Sequence, residues 1–289
     1  MIGVVFIMIL WSLLFSLAMT VQKMLPPETS SFLVISVRSM IGLFIVGPMM
    51  WSQHNFSWAL WKTKQIKRHA LRLVFAIIAV FSTYYAYRHL PLAVASGLGM
   101  TGPLFATIFS RLLLKEKLSN KTWMFLGVGY VGVICVVQSL GMNRAVMWNA
   151  VAISLLGNIL GSLSFILSRK LVASEPPARL FLYANLMQGL CFGSSTFFVT
   201  HDFSYTPWMY IVAIGILGSL SNVCHVIAVK RASPSFLAPF DYTRLCFSAI
   251  WGFLFFQEWP TYLAWIGYAL IIGAVFPLTQ MRLRLSKSS

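Results

Sequence analysis

Charge is scarce in this sequence, and negative charge scarcest of all. Only 10% of the 289 residues are Asp, Glu, Lys or Arg, and just six residues are acidic. Ordinary soluble domains carry about 25% charged residues. So few charges cannot cover a chain that is 58% hydrophobic, which excludes a soluble globule. A bilayer removes the difficulty, because its interior is itself apolar. The shortage of acids also leaves little material for chemistry based on paired carboxylates or metal ligands. Cysteine is equally sparse. Cys135, Cys191, Cys224 and Cys246 each lie inside an apolar run. A disulfide framework needs cysteines in the exposed loops of a secreted domain, so these four are expected to pack as small apolar residues. No metal-ligand spacing appears. The first apolar stretch, Ile2 to Val21, lacks a basic segment ahead of it and exceeds a signal-peptide core in length. It is expected to be a retained helix.

What is present is apolar length. A spanning helix needs about 20 such residues. Runs of that kind fall at roughly 2–22, 30–51, 70–88, 91–113, 122–140, 147–168, 178–199, 207–229, 234–256 and 260–280. The fold expected is an all-α membrane protein of ten transmembrane helices with short loops. Trp51, Trp123, Trp148, Trp208 and Tyr262 stand near span ends, where aromatic rings favour the headgroup layer.

The net charge of +16 invites a nucleic-acid reading, which requires a basic stripe on a folded surface. Here the basic residues cluster between the apolar runs instead, so no nucleic-acid partner is expected. Seventeen of the 22 Lys and Arg residues fall on one side of the predicted membrane; only Lys23, Arg88 and Arg144 fall on the other, and Arg38 and Arg244 lie within spans. Positive residues mark the cytoplasmic side. Both termini are therefore expected in the cytoplasm, in a bacterial inner membrane.

The two halves of the chain share patterns. Ser12-Leu13-x-Phe15-x-Leu17 with Pro26-Pro27 recurs 150 residues on as Ser162-Leu163-x-Phe165-x-Leu167 with Pro176-Pro177. Glu116 and Trp123 recur as Glu258 and Trp265, 142 residues on. Five spans per half would invert the second half relative to the first. The domains expected are residues 1–143 and 144–289, two inverted five-helix repeats.

Two segments, Gly97-Leu-Gly99-Met-Thr-Gly102 and Gly127-Val-Gly129-Tyr-Val-Gly132, match a dinucleotide fingerprint. That motif needs a strand before it and a helix start after it. Both lie inside apolar 20-mers, so small-residue helix packing is the better reading. Gly157-x-x-x-Gly161 is a further packing candidate. No cofactor is expected.

Polar residues inside spans carry more information, since charge at bilayer depth is costly and usually functional. Arg38 in span two, and Asp241 with Arg244 in span nine, are the candidates. Asp241 and Arg244, three residues apart, share a helix face and could pair. Tyr84 and Tyr242 are candidate aromatic walls for a cationic or aromatic substrate. Tyr87 and Arg88 are expected at the periplasmic interface. Asn158, Asn185, Gln188, Asn222 and His225 are expected to serve interhelical hydrogen bonding. His54, His69, His89 and His201 fall in or beside loops. No nucleophile–base set supports an enzyme, and no charged ring or filter segment supports a channel. Transport of a small-molecule substrate fits best, with import, export and coupling left open.

The ten spans, the two halves and the repeated helix–Glu–Trp–helix unit resemble the drug/metabolite transporter superfamily, EamA type. The clearest segments are Leu90-Pro91 through Lys115-Glu116-Lys117 and Ala238-Pro239 through Gln257-Glu258-Trp259-Pro260. Within it, Arg38 and Ala238-Pro239-x-x-Tyr242 are similar to the S-adenosylmethionine uptake transporters of intracellular bacteria. The resemblance implies alternating access to a central cavity lined by spans one, three, four, six, eight and nine. The cost of burying two arginines and one aspartate at bilayer depth makes Arg38, Asp241 and Arg244 the expected substrate-binding charges, with Tyr84 and Tyr242 as aromatic walls. An amino-acid-like, zwitterionic or amine-bearing substrate would satisfy both signs. Of these residues the resemblance itself carries only Arg38 and Tyr242.

Overall fold

Helix formation follows from the runs themselves. Inside a bilayer each backbone polar group must find its partner within the protein, and a helix does this within one segment. A computed structural model describes residues 2–54, 63–114, 120–138, 145–172, 174–196, 205–231 and 243–287. Its helices are α1 (Ile2–Met24), α2 (Ser31–His54), α3 (Ile66–His89), α4 (Leu92–Gly99), α5 (Gly102–Leu114), α6 (Asn120–Gln138), α7 (Ala145–Val172), α8 (Pro177–Thr196), α9 (Tyr205–Arg231), α10 (Thr243–Phe256) and α11 (Tyr262–Lys287). Among the described residues, five helical stretches are long and apolar enough to cross a membrane: Gly3–Met24, Ile66–His89, Leu92–Leu113, Trp148–Ser168 and Pro207–His225. Four shorter apolar helices accompany them. Phe44, Tyr262, Phe6 and Leu254 are exposed, whereas Ser12, Thr20, Ser36, Ser96 and Thr101 are buried. Apolar residues outside and small polar residues inside suit a protein solvated by lipid.

The predicted fourth span is not one unbroken helix. α4 and α5 are separated by a turn at Met100 and Thr101. Pro103 has no N–H to give the Gly99 carbonyl, so the α-helical ladder fails there. The turn is repaired locally. Thr101 donates through its hydroxyl and its backbone N–H to the Leu98 carbonyl. Two side chains of α7 complete the repair: Asn158 donates to the Leu98 carbonyl and Ser162 to that of Gly102.

The most extensive helix contacts pair α3 with α7, α6 with α11, α1 with α9, and α2 with α8. Lipid supplies no hydrophobic drive between helices, so close approach depends on small residues. A Cβ on Gly132 would meet the Gly267 carbonyl at 2.8 Å, and one on Gly267 would meet the Gly132 carbonyl at 2.7 Å. α6 and α11 therefore touch backbone to backbone. The glycine of one nucleotide-like motif is thus a packing surface. Gly97, from the other motif, lies under Tyr268. Gly157 and Gly161 face Ser82 and Ala79, so the expected packing motif seals α7 against α3. Cys135, Cys191, Cys224 and Cys246 form no disulfide; Cys191 and Cys246 are exposed on the helix surface and the other two are half-buried, so only part of the expected packing role is seen.

Candidate substrate site

α3 carries the frame of the site. Tyr84 and Tyr87 sit three residues apart, about 4.5 Å along the axis, and both are buried. Arg38 reaches Tyr84 from α2, its guanidinium carbon 5.8 Å from the ring centroid. It fits there because α9 presents Gly218: a Cβ at that position would come within 3.1 Å of Arg38 Nε. Arg244 enters from α10. Its guanidinium lies 5.1 Å from the centroid of Phe15 on α1, and Phe15 in turn meets Tyr87 edge-on at 6.3 Å. Gly99, at the end of α4, has its would-be Cβ 3.5 Å from Arg244 Nη2. Each arginine therefore rests on an aromatic ring and against a glycine: Arg38 on Tyr84 of α3, and Arg244 on Phe15 of α1, which borders Tyr87 of the same α3 face. The Tyr87 hydroxyl lies by those of Ser96 and Ser248, in the field of Arg244.

Among the described residues, no salt bridge involves Arg38 or Arg244, and Arg244 Nε and the Tyr84 hydroxyl are buried without a hydrogen-bond partner. A charge at bilayer depth costs about 2.5–3.5 kcal/mol on insertion scales, while a cation–π contact contributes roughly 0.5–2 kcal/mol. The rings offset only part of the cost, and donors remain for an anionic group.

Of the sequence-predicted site residues, Arg38 meets Tyr84 directly, and Arg244 borders the same α3 face by way of Phe15. Asp241 and Tyr242 lie outside the described residues. Sequence reasoning missed Phe15, Gly99 and Gly218, and misplaced Tyr87, which is 3% exposed in the helical core and not at an interfacial belt. The three-residue spacing of Tyr84 and Tyr87 was the available signal, since it puts both on one helix face. The residues around the two arginines come from α1, α3, α4, α9 and α10. Most of the weaker polar candidates are accounted for by packing. Asn158 supports the break after α4. Asn185 donates to the Phe181 carbonyl, Gln188 lies 3.4 Å from the Ser39 hydroxyl, and His225 meets the Trp11 ring in a tilted contact, centroids 5.2 Å apart.

Polar bridges close both ends of α3. At one end the Glu258 carboxylate accepts from Lys23 and from the Leu92 backbone N–H, while Lys23 also donates to the Leu90 carbonyl. A cavity of about 160 Å³ lies beside this bridge, lined by Pro91, Glu258 and Tyr268. At the other end the Glu175 carboxylate engages Thr63, His69 and Arg179. His69, expected in or beside a loop, is fully buried in the first turn of α3. Arg72, counted among the basic loop residues, is buried too, donating to the Leu180 carbonyl. Burial alone would raise the Glu175 carboxyl, but hydrogen bonds from Thr63 and His69 and the charges of His69 and Arg179 outweigh it. They hold the carboxyl below its ordinary value.

Known proteins share this architecture. A family model described as EamA-like transporter family matches residues 1–138 and 148–280. The riboflavin transporter of Vibrio cholerae serotype O1 is 26% identical over 233 residues, 78% of this chain and 76% of that one. The pseudopaline exporter CntI of Pseudomonas aeruginosa is 25% identical over 282 residues, covering 95% of this chain and 96% of the other. An S-adenosylmethionine uptake transporter of Rickettsia bellii is 24% identical over 221 residues, 74% of this chain and 72% of that one. A crystal structure matches with a TM-score of 0.65 over 98% of this chain and 97% of that one; at 20% identity it speaks for the fold alone. The relatives' names span several solutes, so they fix the class of protein and not its substrate. On the family match and the apolar helices, the chain belongs to the EamA-like transporter family and is a multi-pass bacterial membrane protein.

Proposed function

We propose that this protein is a secondary transporter that moves a small metabolite across the inner membrane by alternating access. Two inverted five-helix halves, residues 1–143 and 144–289, rock about a central site, and both termini are cytoplasmic. The packing supports this reading. The contact of α1 with α9 has a counterpart in that of α7 with α3, as an exchange of equivalent halves requires. The α2–α8 and α6–α11 pairs join equivalent spans of the two halves.

The substrate carries a carboxylate. The observation behind this is the pair of arginines without an acidic partner among the described residues, Arg38 from the first half against Tyr84 of α3 and Arg244 from the second against Phe15, whose ring borders Tyr87 of α3. Asp241, three residues before Arg244, supplies a negative charge for an ammonium or sulfonium group, and Tyr84 and Tyr242 supply aromatic walls. An amino acid or S-adenosylmethionine meets both demands.

Purified protein in liposomes tests the reading. Preloaded liposomes should take up labelled S-adenosylmethionine or amino acid by saturable counterflow, without conducting ions. Free ion conduction with no accumulation of any solute would identify a channel instead. Reporter fusions at Ser289 and in the 141–146 loop test orientation; an active periplasmic reporter at Ser289 contradicts it.

A further inference from the structure

The two polar bridges at the ends of α3 have a feature in common. Each joins the first half of the chain to an acidic residue of the second. Lys23, Leu90 and Leu92 meet Glu258 at one end. Thr63 and His69 meet Glu175 at the other, where Gln65 also donates to Ser174 at 2.6 Å. From His69 to Leu90 is 21 residues, about 32 Å of helix. Tyr84 lies between, about 9 Å from the Leu90 level and about 22 Å from that of His69. The arginine-bearing site is thus enclosed between two cross-half closures, both made in this structure.

The local backbone at Glu258 is specialised for its contact. Gln257 adopts a left-handed conformation, φ 56°, and among the described non-glycine residues it is the one with positive φ. That geometry costs about 1–2 kcal/mol for a residue with a Cβ. It folds the chain back so that the Glu258 N–H bonds to the Gly252 carbonyl at 2.9 Å. The carboxylate then faces Leu92 and Lys23. Strain of this kind persists where the surrounding structure demands it, commonly at functional sites. Lys23 is further held over the Phe256 ring, 4.9 Å from its centroid.

We propose that Glu258 with Lys23, and Glu175 with His69 and Thr63, are the two gates of the transport cycle, each a cross-half contact that breaks when its own end opens. This rests on the alternating-access reading, since rocking halves must part at one end while meeting at the other. The structure then represents the occluded state, with both gates shut. Removing one carboxylate biases the protein toward opening at that end alone. The gates are polar, not greasy, for a physical reason. An ion pair exposed to water contributes little, so a gate of this type opens at low cost once water reaches it.

The test uses full-length protein with Cys135, Cys191, Cys224 and Cys246 replaced by Ser, and one reporter cysteine at Ser96→Cys, between the gates. Labelling by a membrane-impermeant thiol reagent is measured from each face of sealed vesicles. Cysteines at Tyr262 and Lys64 identify the face bearing Glu258 and the face bearing Glu175. Glu258→Gln should raise labelling from the Glu258 face at least several-fold and lower it from the other. Glu175→Gln should do the reverse. Glu258→Asp, which keeps the charge and the acceptor oxygens for Lys23 and the Leu92 N–H, should stay near the parent pattern, which a misfolded protein would not. If the reporter is reached from each face in turn in the parent, yet neither variant shifts the balance, the gates are elsewhere while alternating access stands. If it is reached from both faces at once, or from one face only in every variant, alternating access fails and the gates with it.

Discussion

Arg244 lies over the Phe15 ring, guanidinium carbon to centroid 5.1 Å, with no acidic partner among the described residues. The ring is therefore part of what holds this charge in place. Phe15→Leu should weaken substrate binding by about 2- to 30-fold, the equivalent of roughly 0.5–2 kcal/mol. Phe15→Tyr should keep near-parental affinity. Equilibrium binding to detergent-purified protein checks both, with size-exclusion behaviour as the folding control.

Glycine substitutions should separate binding from folding. Gly218→Ala puts a methyl 3.1 Å from Arg38 Nε. A flexible side chain can yield, so the expected outcome is lower affinity with an almost unchanged melting temperature. Gly132→Ala puts a methyl 2.8 Å from the Gly267 carbonyl, a backbone atom that cannot yield. Overpacking of that kind costs about 1–3 kcal/mol, and the melting temperature should fall. Thermal unfolding and binding measured on the same two preparations distinguish the cases. Equal loss of stability in both would contradict the assignment.

The Glu175 bridge predicts an acid response. A carboxyl held below its ordinary value by native contacts contributes stability that is complete above the unfolded value, near 4.5. That contribution is lost as pH falls through the lower folded value. Melting temperature should therefore drop on acidification below about pH 4.5 more steeply in the parent than in Glu175→Gln. Parallel pH profiles for the two proteins would show that the bridge contributes nothing.

Much of this architecture was legible in the sequence, because membrane helices advertise themselves by apolar length. Among the described residues, helices fall where the apolar runs are, and five are long and apolar enough to cross a membrane; residues 234–242 of the expected ninth span lie outside the described residues. The Gly157-x-x-x-Gly161 motif packs as expected, since a missing side chain is itself the signal. The break between α4 and α5 was written in Pro103, but an apolar run hides it from a hydropathy reading. Arg38 and Arg244 stood out because charge in lipid is costly. Their surroundings did not. Phe15 belongs to the same repeated motif as Phe165, yet Phe15 packs on the core while Phe165 is 53% exposed. The two phenylalanines of the repeated sequence motif thus have different surroundings, and only three-dimensional packing separates them. Tyr87 was misplaced, and the burial of His69 beside its loop was not foreseen, for a similar reason. Nearness to a span end says little about which way a helical side chain points.

The proposed carboxylate site depends on the two arginines, Arg38 and Arg244. The most direct measurement is substrate affinity in folded, membrane-inserted protein for the parent, Arg38→Gln and Arg244→Gln. S-adenosylmethionine and the amino acids serve as first probes, each with its methyl ester as a carboxylate-free control. A hydrogen bond to a charged group contributes about 1.5–3 kcal/mol. Each variant should therefore lose roughly 10- to 100-fold in affinity for the acid, and the parent should discriminate against the ester to a similar degree. If both variants insert normally and bind the acid with parental affinity, the arginines are structural and the substrate binds elsewhere.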